Sequence, residues 1–550
     1  MLAPNPKRSL MMTAKHLLFR AEARAKILSG AGQLADAVRV TLGPKSKSVL
    51  IQRRWGVPLV CNDGVTIARE TELEDAQADL GARMLRQAAE KTGEAVGDGT
   101  STATVLAYAI LADGIRNVVA GASAIDLKKG LDRAQRRVLE GLSELARPVQ
   151  SRLERAQVAT LSAHNDAVIG ELVAEAMDRI GADGVITVEE SRTTETVLDV
   201  VEGMRFDRGW LSPYFVSSPE RMEAVLEDAH VLLSDRKIGG LTELLPLLEQ
   251  LAKSGRPLLV VAEEVEGEAL ATLIVNQLRA VLRSCAVKAP GYGEQRRELL
   301  QDLGVLTGAQ VISSDLGLKL EDASLTQLGH VRRVVIAKDS TTLIGGGGDH
   351  AAVQSRIAQL RDARLQATSE YDREKLDARI ARLAGGVAVI RVGAPSESEM
   401  KARKDALEDA IAATKAAVAE GIVPGGGLAL LRTLPHVAAD LETLEGDERT
   451  GVQILMRALE APARTIAENS AVDPGVVVAR LLEASGSFGF DAARNRYGDL
   501  LEAGIVDPTK VVRIALQNAV SVASLLLLTE ATMTEIPAKE PVGELPRDAV

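Results

Sequence analysis

Two stretches of long-helix pattern enclose a middle of short β-rich runs in this 550-residue chain. Early on, Ala76, Leu80, Met84, Leu85 and Ala88 recur at helical spacing, and so do Val105, Leu106, Ala109 and Ile110. Pro148 marks a boundary, after which the texture changes. Val185-Ile186-Thr187-Val188, Leu258-Leu259-Val260-Val261 and Val334-Val335-Ile336 read as strands. A helical run over 266–283 joins apolar strands at 258–262 and 285–289, a βαβ-like unit. The glycines at 345–348 read as a flexible loop with no phosphate-binding pattern around it. Charged helical patterns follow over 351–382, then a strand over 387–392, and the long-helix texture returns to about Ile536. Helical ends around a mixed middle describe a discontinuous domain carrying a large insertion.

Composition narrows the reading. Hydrophobic residues make up 46% of the chain, so it is not wholly disordered. Aromatics are only 2%, so the cores must be built from Ala, Val, Leu and Ile, which favours helix packing. A formal net charge of −11 argues against a nucleic-acid partner. Lys128-Lys129 and Arg332-Arg333 read as solvated pairs. The two cysteines, Cys61 and Cys285, give no disulfide framework and fit a reducing compartment. The six histidines show no zinc-ligand spacing. No apolar segment is expected to span a membrane; the longest, 519–528, reads as a buried helix. Residues 1–12 are basic, short and without an amphipathic stripe. They fit a misassigned start or a disordered extension better than a targeting segment. The Pro-rich, charged end after Ile536 is expected to be disordered.

Four motifs carry chemistry. Gly97-Asp98-Gly99-Thr100-Ser101-Thr102 is a glycine turn feeding an alanine-rich helix. A helix N-terminus offers free N–H groups and the positive end of a dipole, which suits phosphate. Asp98 stands where a carboxylate can hold magnesium on phosphate oxygens. An ordinary N-cap turn uses the same residue types. Thr41-Leu42-Gly43-Pro44-Lys45 ends an amphipathic helix with a Gly-Pro stop. Gly425-Gly426-Gly427 precedes another apolar helix, and Asp491-Ala492-Ala493 is soon followed by Asp507-Pro508-Thr509-Lys510. Glycine loops at both ends suggest a nucleotide pocket assembled from both. There is no Gly-x-x-x-x-Gly-Lys-Ser/Thr motif, so this is not a P-loop ATPase.

With these motifs in order, the chain resembles the group I chaperonins, the GroEL family, from about residue 14 to 536. The likeness also rests on Asp199-Val200-Val201-Glu202-Gly203-Met204-Arg205-Phe206-Asp207-Arg208-Gly209. Tyr371-Asp372-Arg373-Glu374-Lys375-Leu376 and Leu383-Ala384-Gly385-Gly386-Val387-Ala388-Val389-Ile390 add to it. The resemblance implies a multidomain α and α/β fold. A helical equatorial domain (17–144 and 420–536) would be split around an intermediate hinge domain (145–201 and 388–419). An α/β apical domain (202–387) would be inserted within that, with an extension at 1–16 and a disordered tail at 537–550. Gly203 and Gly385-Gly386 would lie near a hinge.

The resemblance further implies an ATP site with Mg2+ and K+. Thr41, Leu42, Gly43, Pro44, Asp98, Gly99, Thr100, Ser101, Thr102 and Gly426 would surround the phosphates, with Asp98 on magnesium. Asp491, Ala492, Ala493 and Asp507 would face base and ribose, and main-chain oxygens near Thr41, Asn62 and Ser101 would help hold potassium. Asp63 and Asp409 would position and polarise the attacking water. Read without the family, Asp63 is a turn residue before Gly64 and Asp409 one charge on an amphipathic helix. The position before Asp63, usually lysine in the family, is Asn62 here. Asn62→Lys is expected to tighten ATP binding or raise kcat/KM, unless a neighbour such as Lys45 compensates.

Leu241, Leu244, Leu245, Leu247, Leu248 and Leu251 crowd one helical segment, and Ala269, Leu270, Leu273, Ile274, Val275 and Leu278 the next. Sequence alone reads them as buried helices. The resemblance implies an apical groove for unfolded clients and a GroES-type lid, using Leu245, Leu248, Leu270, Ile274 and Val275 with Trp210, Tyr214 and Phe215. The expected protein is a cytoplasmic, ATP-driven folding machine of heptameric rings, stacked in pairs back to back, with no membrane or nucleic-acid partner. Its rivals are a ring scaffold without refolding activity and a kinase using the same pocket.

Overall fold

The computed structural model describes residues 14–52, 58–163, 165–181, 184–191, 193–219, 221–313, 317–367 and 369–535. The expected tail, 537–550, lies outside them, as does the expected extension apart from residues 14–16, of which 15 and 16 already belong to a strand. The described residues form two compact units, one from Met1–Ala174 with Asp405–Val550, the other from Glu175–Lys404.

The first unit is helical, as the periodicity indicates. Its core takes Leu34 and Val38 from Arg20–Arg39, Leu85 and Ala89 from Ala76–Val96, and Leu106 and Ile110 from Thr100–Val119. Leu131 from Ala124–Leu145 and Leu516 and Val520 from Thr509–Leu527 complete it. Asp75 starts Ala76–Val96 by accepting hydrogen bonds from the Gln77 and Ala78 amides at 2.9 and 3.3 Å. Gly97 ends it at φ 72°. Small residues set the helix spacing. A Cβ on Gly30 would fall 1.7 Å from the Ala78 carbonyl oxygen, and one on Gly81 2.2 Å from that of Ile27, so two backbones touch where these helices cross. This is how a core almost without aromatic rings reaches interior packing density.

Two helices correct the membrane expectation: Thr100–Val119 and Thr509–Leu527 are long and apolar enough to cross a bilayer. Both are packed into this core, and burial inside protein accounts for their composition.

Short strands bring distant chain segments together here. Lys15–Phe19 pairs antiparallel with Ala531–Glu535, joining the two ends of the described chain. Ile422–Pro424 pairs antiparallel with Val506–Pro508, setting Val423 opposite Asp507. Phe488–Asp491 and Arg496–Asp499 form a hairpin.

The second unit is α/β. Its seven-stranded sheet runs Ser284–Lys288, Leu258–Ala262, Ala224–Ser234, Gly329–Ile336, Thr341–Gly346, Gly203–Phe206, with Val311–Ile312 also on Ala224–Ser234. The first three pair in parallel, and the expected βαβ unit is there: Leu258–Ala262, helix Gly267–Leu278, Ser284–Lys288. Leu258–Ala262 is buried at every position, the pattern of a strand covered on both faces. A smaller sheet sets Val387–Val392 between Val185–Glu190 and Val197–Val201.

The glycines at 345–348 are not a free loop. Gly345 and Gly346 finish a strand, and a Cβ on Gly348 would lie 2.0 Å from the Val305 carbonyl oxygen. Lack of room, not flexibility, selects glycine there. Helices His350–Gln366 and Glu370–Ala384 follow. Fully buried Asp302, on helix Gly293–Thr307, accepts from Arg379 Nε at 2.7 Å and Arg356 Nε at 2.9 Å and ties both helices to the sheet layer.

Candidate functional site

A cleft of about 280 Å³ opens in the helical unit, walled by residues from both ends of the chain. Thr41, Leu42, Gly43, Pro44, Asn62, Asp63, Asp98, Gly99, Thr100, Ser101, Thr102, Asp409, Gly426, Asp491, Ala492, Ala493 and Asp507 all line it. The strand pairing of 422–424 with 506–508 brings Gly426 to Asp507. The helix crossing of the first unit brings Thr41 to Ser101, whose hydroxyls meet at 2.8 Å. The Thr41 hydroxyl itself donates to the Val38 carbonyl.

Asp98 is held between two glycines in left-handed conformation, Gly97 at φ 72° and Gly99 at φ 80°. A Cβ on Gly97 would fall 2.4 Å from Ala412 Cβ. Glycine there lets the helical residues after Asp405 approach the turn, and Asp409 stands one turn before Ala412. Gly99 caps Thr100–Val119 without a side chain of its own, and its amide donates to Asp98 Oδ1, so the Asp98 carboxylate itself stands at the helix end that suits an anion. Ser162, the last residue of helix Arg152–Ser162, donates to Asp98 Oδ2 at 2.9 Å.

The carboxylates differ in environment. Asp63 caps helix Gly64–Glu70, accepting from the Val65 and Thr66 amides at 3.3 and 2.9 Å. The turn reading is therefore structurally true, and Asp63 still faces the cleft. Burial, then the charges of Asp98 and Asp63, raise the Asp409 carboxyl well above the usual carboxylate range. Burial, then Asp98, pushes Asp507 up to about 7. Asp491 Oδ1 accepts from the Arg494 amide at 3.1 Å, and Oδ2 meets the guanidinium groups of Arg494 and Arg496 at 3.2 and 3.5 Å. Its carboxylate braces its own hairpin, and the turn offers the cleft its backbone and two alanines. Lys45 donates to Asn495 Oδ1 at 2.7 Å and is not part of the lining, so it does not stand in for a lysine at Asn62.

Sequence reasoning missed Ser162 and the apolar wall of Leu430, Ile466, Phe490 and Ile505. Phe490 adjoins Asp491 and could have been found by proximity. A serine at a helix end carries no such signal. Among the described residues no three His, Cys, Asp or Glu side chains group as a ready-made metal site. Magnesium at Asp98 would therefore draw its remaining oxygens from phosphate and water, which is its habit.

The apolar surface residues of the second unit divide. Leu244, Leu247, Leu248 and Leu251 form one buried stripe on helix Leu241–Ser254, while Leu245 is 44% exposed. Leu248 and Phe215 are 6% and 1% exposed, so these two side chains are corrected from contact surface to core. Both pack into the hydrophobic layer beside the sheet. On helix Gly267–Leu278, Leu270 and Ile274 are half-buried and Val275 is 45% exposed. Tyr214 is exposed on the Pro213–Phe215 turn, which packs against that helix. Trp210 is half-buried, its Nε1 donating to the Met222 carbonyl at 3.1 Å.

The family model of the TCP-1/cpn60 chaperonin family matches residues 34–537. Chaperonin GroEL 5 of Bradyrhizobium diazoefficiens is 68% identical over 526 residues, covering 96% of this chain and 97% of that protein. With the family model spanning nearly all of the chain and the cleft assembled from both of its ends, the chain belongs to the TCP-1/cpn60 chaperonins, as a group I, GroEL-type member.

Proposed function

We propose that this chaperonin folds proteins at the expense of ATP bound in the cleft, with a GroES-type lid closing a chamber over the client. The observation that carries the reading is the meeting of the 41–44, 97–102, 425–427 and 491–507 segments around one cleft, with Asp98 at the N-terminus of helix Thr100–Val119. The N-terminal amides of Thr100–Val119 and the glycine turns would hold the phosphates. Asp98, fixed by Ser162, would carry magnesium, and oxygens near Thr41, Asn62 and Ser101 potassium. Bound magnesium would supply positive charge to the phosphate oxygens.

Asp409 holds the attacking water and accepts its proton as the water oxygen bonds to the terminal phosphorus and the bond to ADP breaks. An acid held well above the usual range suits this task near neutral pH. Asp63, fixed by two amides, orients that water. Clients would dock on Tyr214, Leu245 and Val275, exposed apolar side chains that give promiscuous, non-directional contact. The division into equatorial, intermediate and apical domains, the paired heptameric rings and a bacterial cytoplasmic setting complete the proposal. Gathering Asp63, Asp98 and Asp409 in one cleft favours it over a scaffold without hydrolysis.

The test is nucleotide binding and steady-state hydrolysis in the wild type and Asp98→Ala. Magnesium-dependent ATP turnover that is lost in the variant supports the reading. Absence of ATP binding in the wild type would sink it.

A further inference from the structure

Two histidines from distant parts of the chain stand side by side on the sheet of the α/β unit. His230 on Ala224–Ser234 lies directly opposite His330 on Gly329–Ile336, and directly opposite residues share a face. The His230 amide donates to the Pro257 carbonyl at 2.8 Å, on the side away from His330. That makes 230 and 330 a non-hydrogen-bonded pair, the kind that brings its side chains closest. Each ring has one nitrogen spent. His330 Nε2 donates to Asp228 Oδ1. The His230 ring donates to the Gly329 carbonyl, and it does so through Nε2, because buried Nδ1 has no partner among the described residues. In the neutral rings both Nδ1 atoms then carry lone pairs. A ring N–H fixed on a carboxylate or carbonyl oxygen is the outer arrangement that metal-binding histidines have. Asp228 keeps a left-handed φ of 54° in mid-strand, a strained backbone for its residue type, and its other oxygen meets Arg256 at 3.2 Å.

We propose that His230 and His330 chelate a divalent transition ion of the zinc type through their two Nδ1 atoms, with water in the remaining positions and Asp228 as the outer partner of His330. Imidazole suits zinc, nickel and copper, whereas magnesium prefers oxygen. Asp228 offsets the charge of Arg256 beside the site. Sequence spacing hides the pair, and with two ligands it is smaller than a three-residue cluster; strand register alone supplies it. An ion there would clamp the two strands at the centre of the seven-stranded sheet. Because only the folded sheet pairs the two rings, binding would add to the stability of the unit.

Isothermal titration of the full-length, nucleotide-free protein with Zn2+ decides it, with millimolar Mg2+ present throughout to occupy oxygen-donor sites. Wild type, His230→Phe, His330→Gln and Asp228→Asn are compared, each checked for wild-type circular dichroism. The His330 side chain is 39% exposed, so its variant leaves the core untouched. The wild type is expected to bind one ion per chain that both histidine variants lose. Asp228→Asn is expected to keep the site and weaken it about ten- to hundredfold, the usual cost of an outer partner. Cu2+, as a second probe, should give an electron paramagnetic resonance spectrum with two nitrogen donors in the wild type and fewer in His330→Gln. Zn2+ should raise the melting transition of the wild type and not that of His330→Gln. A wild type that binds no Zn2+ would overturn the proposal, whatever the variants do. So would equal binding by the wild type and a folded His330→Gln, which would put the ion elsewhere on the chain.

Discussion

The Ser162 hydroxyl donates a 2.9 Å hydrogen bond to Asp98 Oδ2. It reaches across 64 positions of sequence to fix the carboxylate that stands at the start of helix Thr100–Val119. With Asp98 in the proposed magnesium-holding role, Ser162 would act through it as a positioning residue. Ser162→Ala should raise KM for magnesium-ATP about three- to tenfold, since a hydrogen bond to a charged group contributes about 1.5–3 kcal/mol at most. Ser162→Thr, which keeps the hydroxyl, should restore most of it. A change in kcat alone, or no rescue by threonine, would contradict this role.

Asp507 gives a pH signature. Its folded carboxyl titrates at about 7, raised from 3.8, so the fold favours the neutral acid. That contribution is present below the ordinary carboxylate range and is lost as pH rises through about 7. Asp507→Asn should flatten the pH dependence of stability in nucleotide-free protein and raise stability at pH ~8 by on the order of a few kcal/mol. Denaturant titrations of both proteins across that range check it; parallel curves would contradict it.

Leu245 and Leu248 lie on one helix and separate surface from core. Leu245→Glu should leave the fold intact and abolish capture of a denatured client, because a binding apolar segment would have to strip water from the charge. Leu248→Glu should destabilise the unit itself by about 3 kcal/mol or more, since it puts a charge where the side chain is buried. Client capture assays and thermal melts distinguish them. A soluble Leu245→Glu that still captures clients would remove this helix face from the surface.

Asp302→Ala should strip buried Arg379 of its main partner. Breaking a buried pair on one side costs about 3–5 kcal/mol, so the melting transition of the α/β unit should fall markedly. Scanning calorimetry showing a loss below about 1 kcal/mol would mean that Arg379 finds compensation from Glu298 or water.

Much of this was legible in the sequence because period and punctuation are local. The helix from Ala76 is announced by its stripe and closed by Gly97, and the 258–288 βαβ unit by apolar runs either side of a helix. The cleft motifs could be recognised one by one, but their meeting depends on pairings such as Val423 with Asp507, which no local rule supplies. The pattern alone reads Leu248 as buried, as it is; the family resemblance put it on the contact surface, because four leucines in two turns look alike and only the sheet decides which face is inward. Gly348 was taken for flexibility because a close backbone approach leaves the same residue as a turn. Ser162 had no pattern to betray it.

The central claim is that ATP hydrolysis in this cleft drives folding under a lid. It is tested most directly by refolding yield of a chemically denatured client, with ATP and a GroES-type lid, in the wild type and Asp409→Ala. The wild type should recover native client only when both ATP and lid are present. Asp409→Ala should bind ATP with nearly wild-type affinity, hydrolyse it about a hundredfold or more slowly, and fail to cycle. Wild-type protein that gives no lid- and ATP-dependent recovery, or an Asp409→Ala variant that turns over ATP at the wild-type rate, would contradict the account.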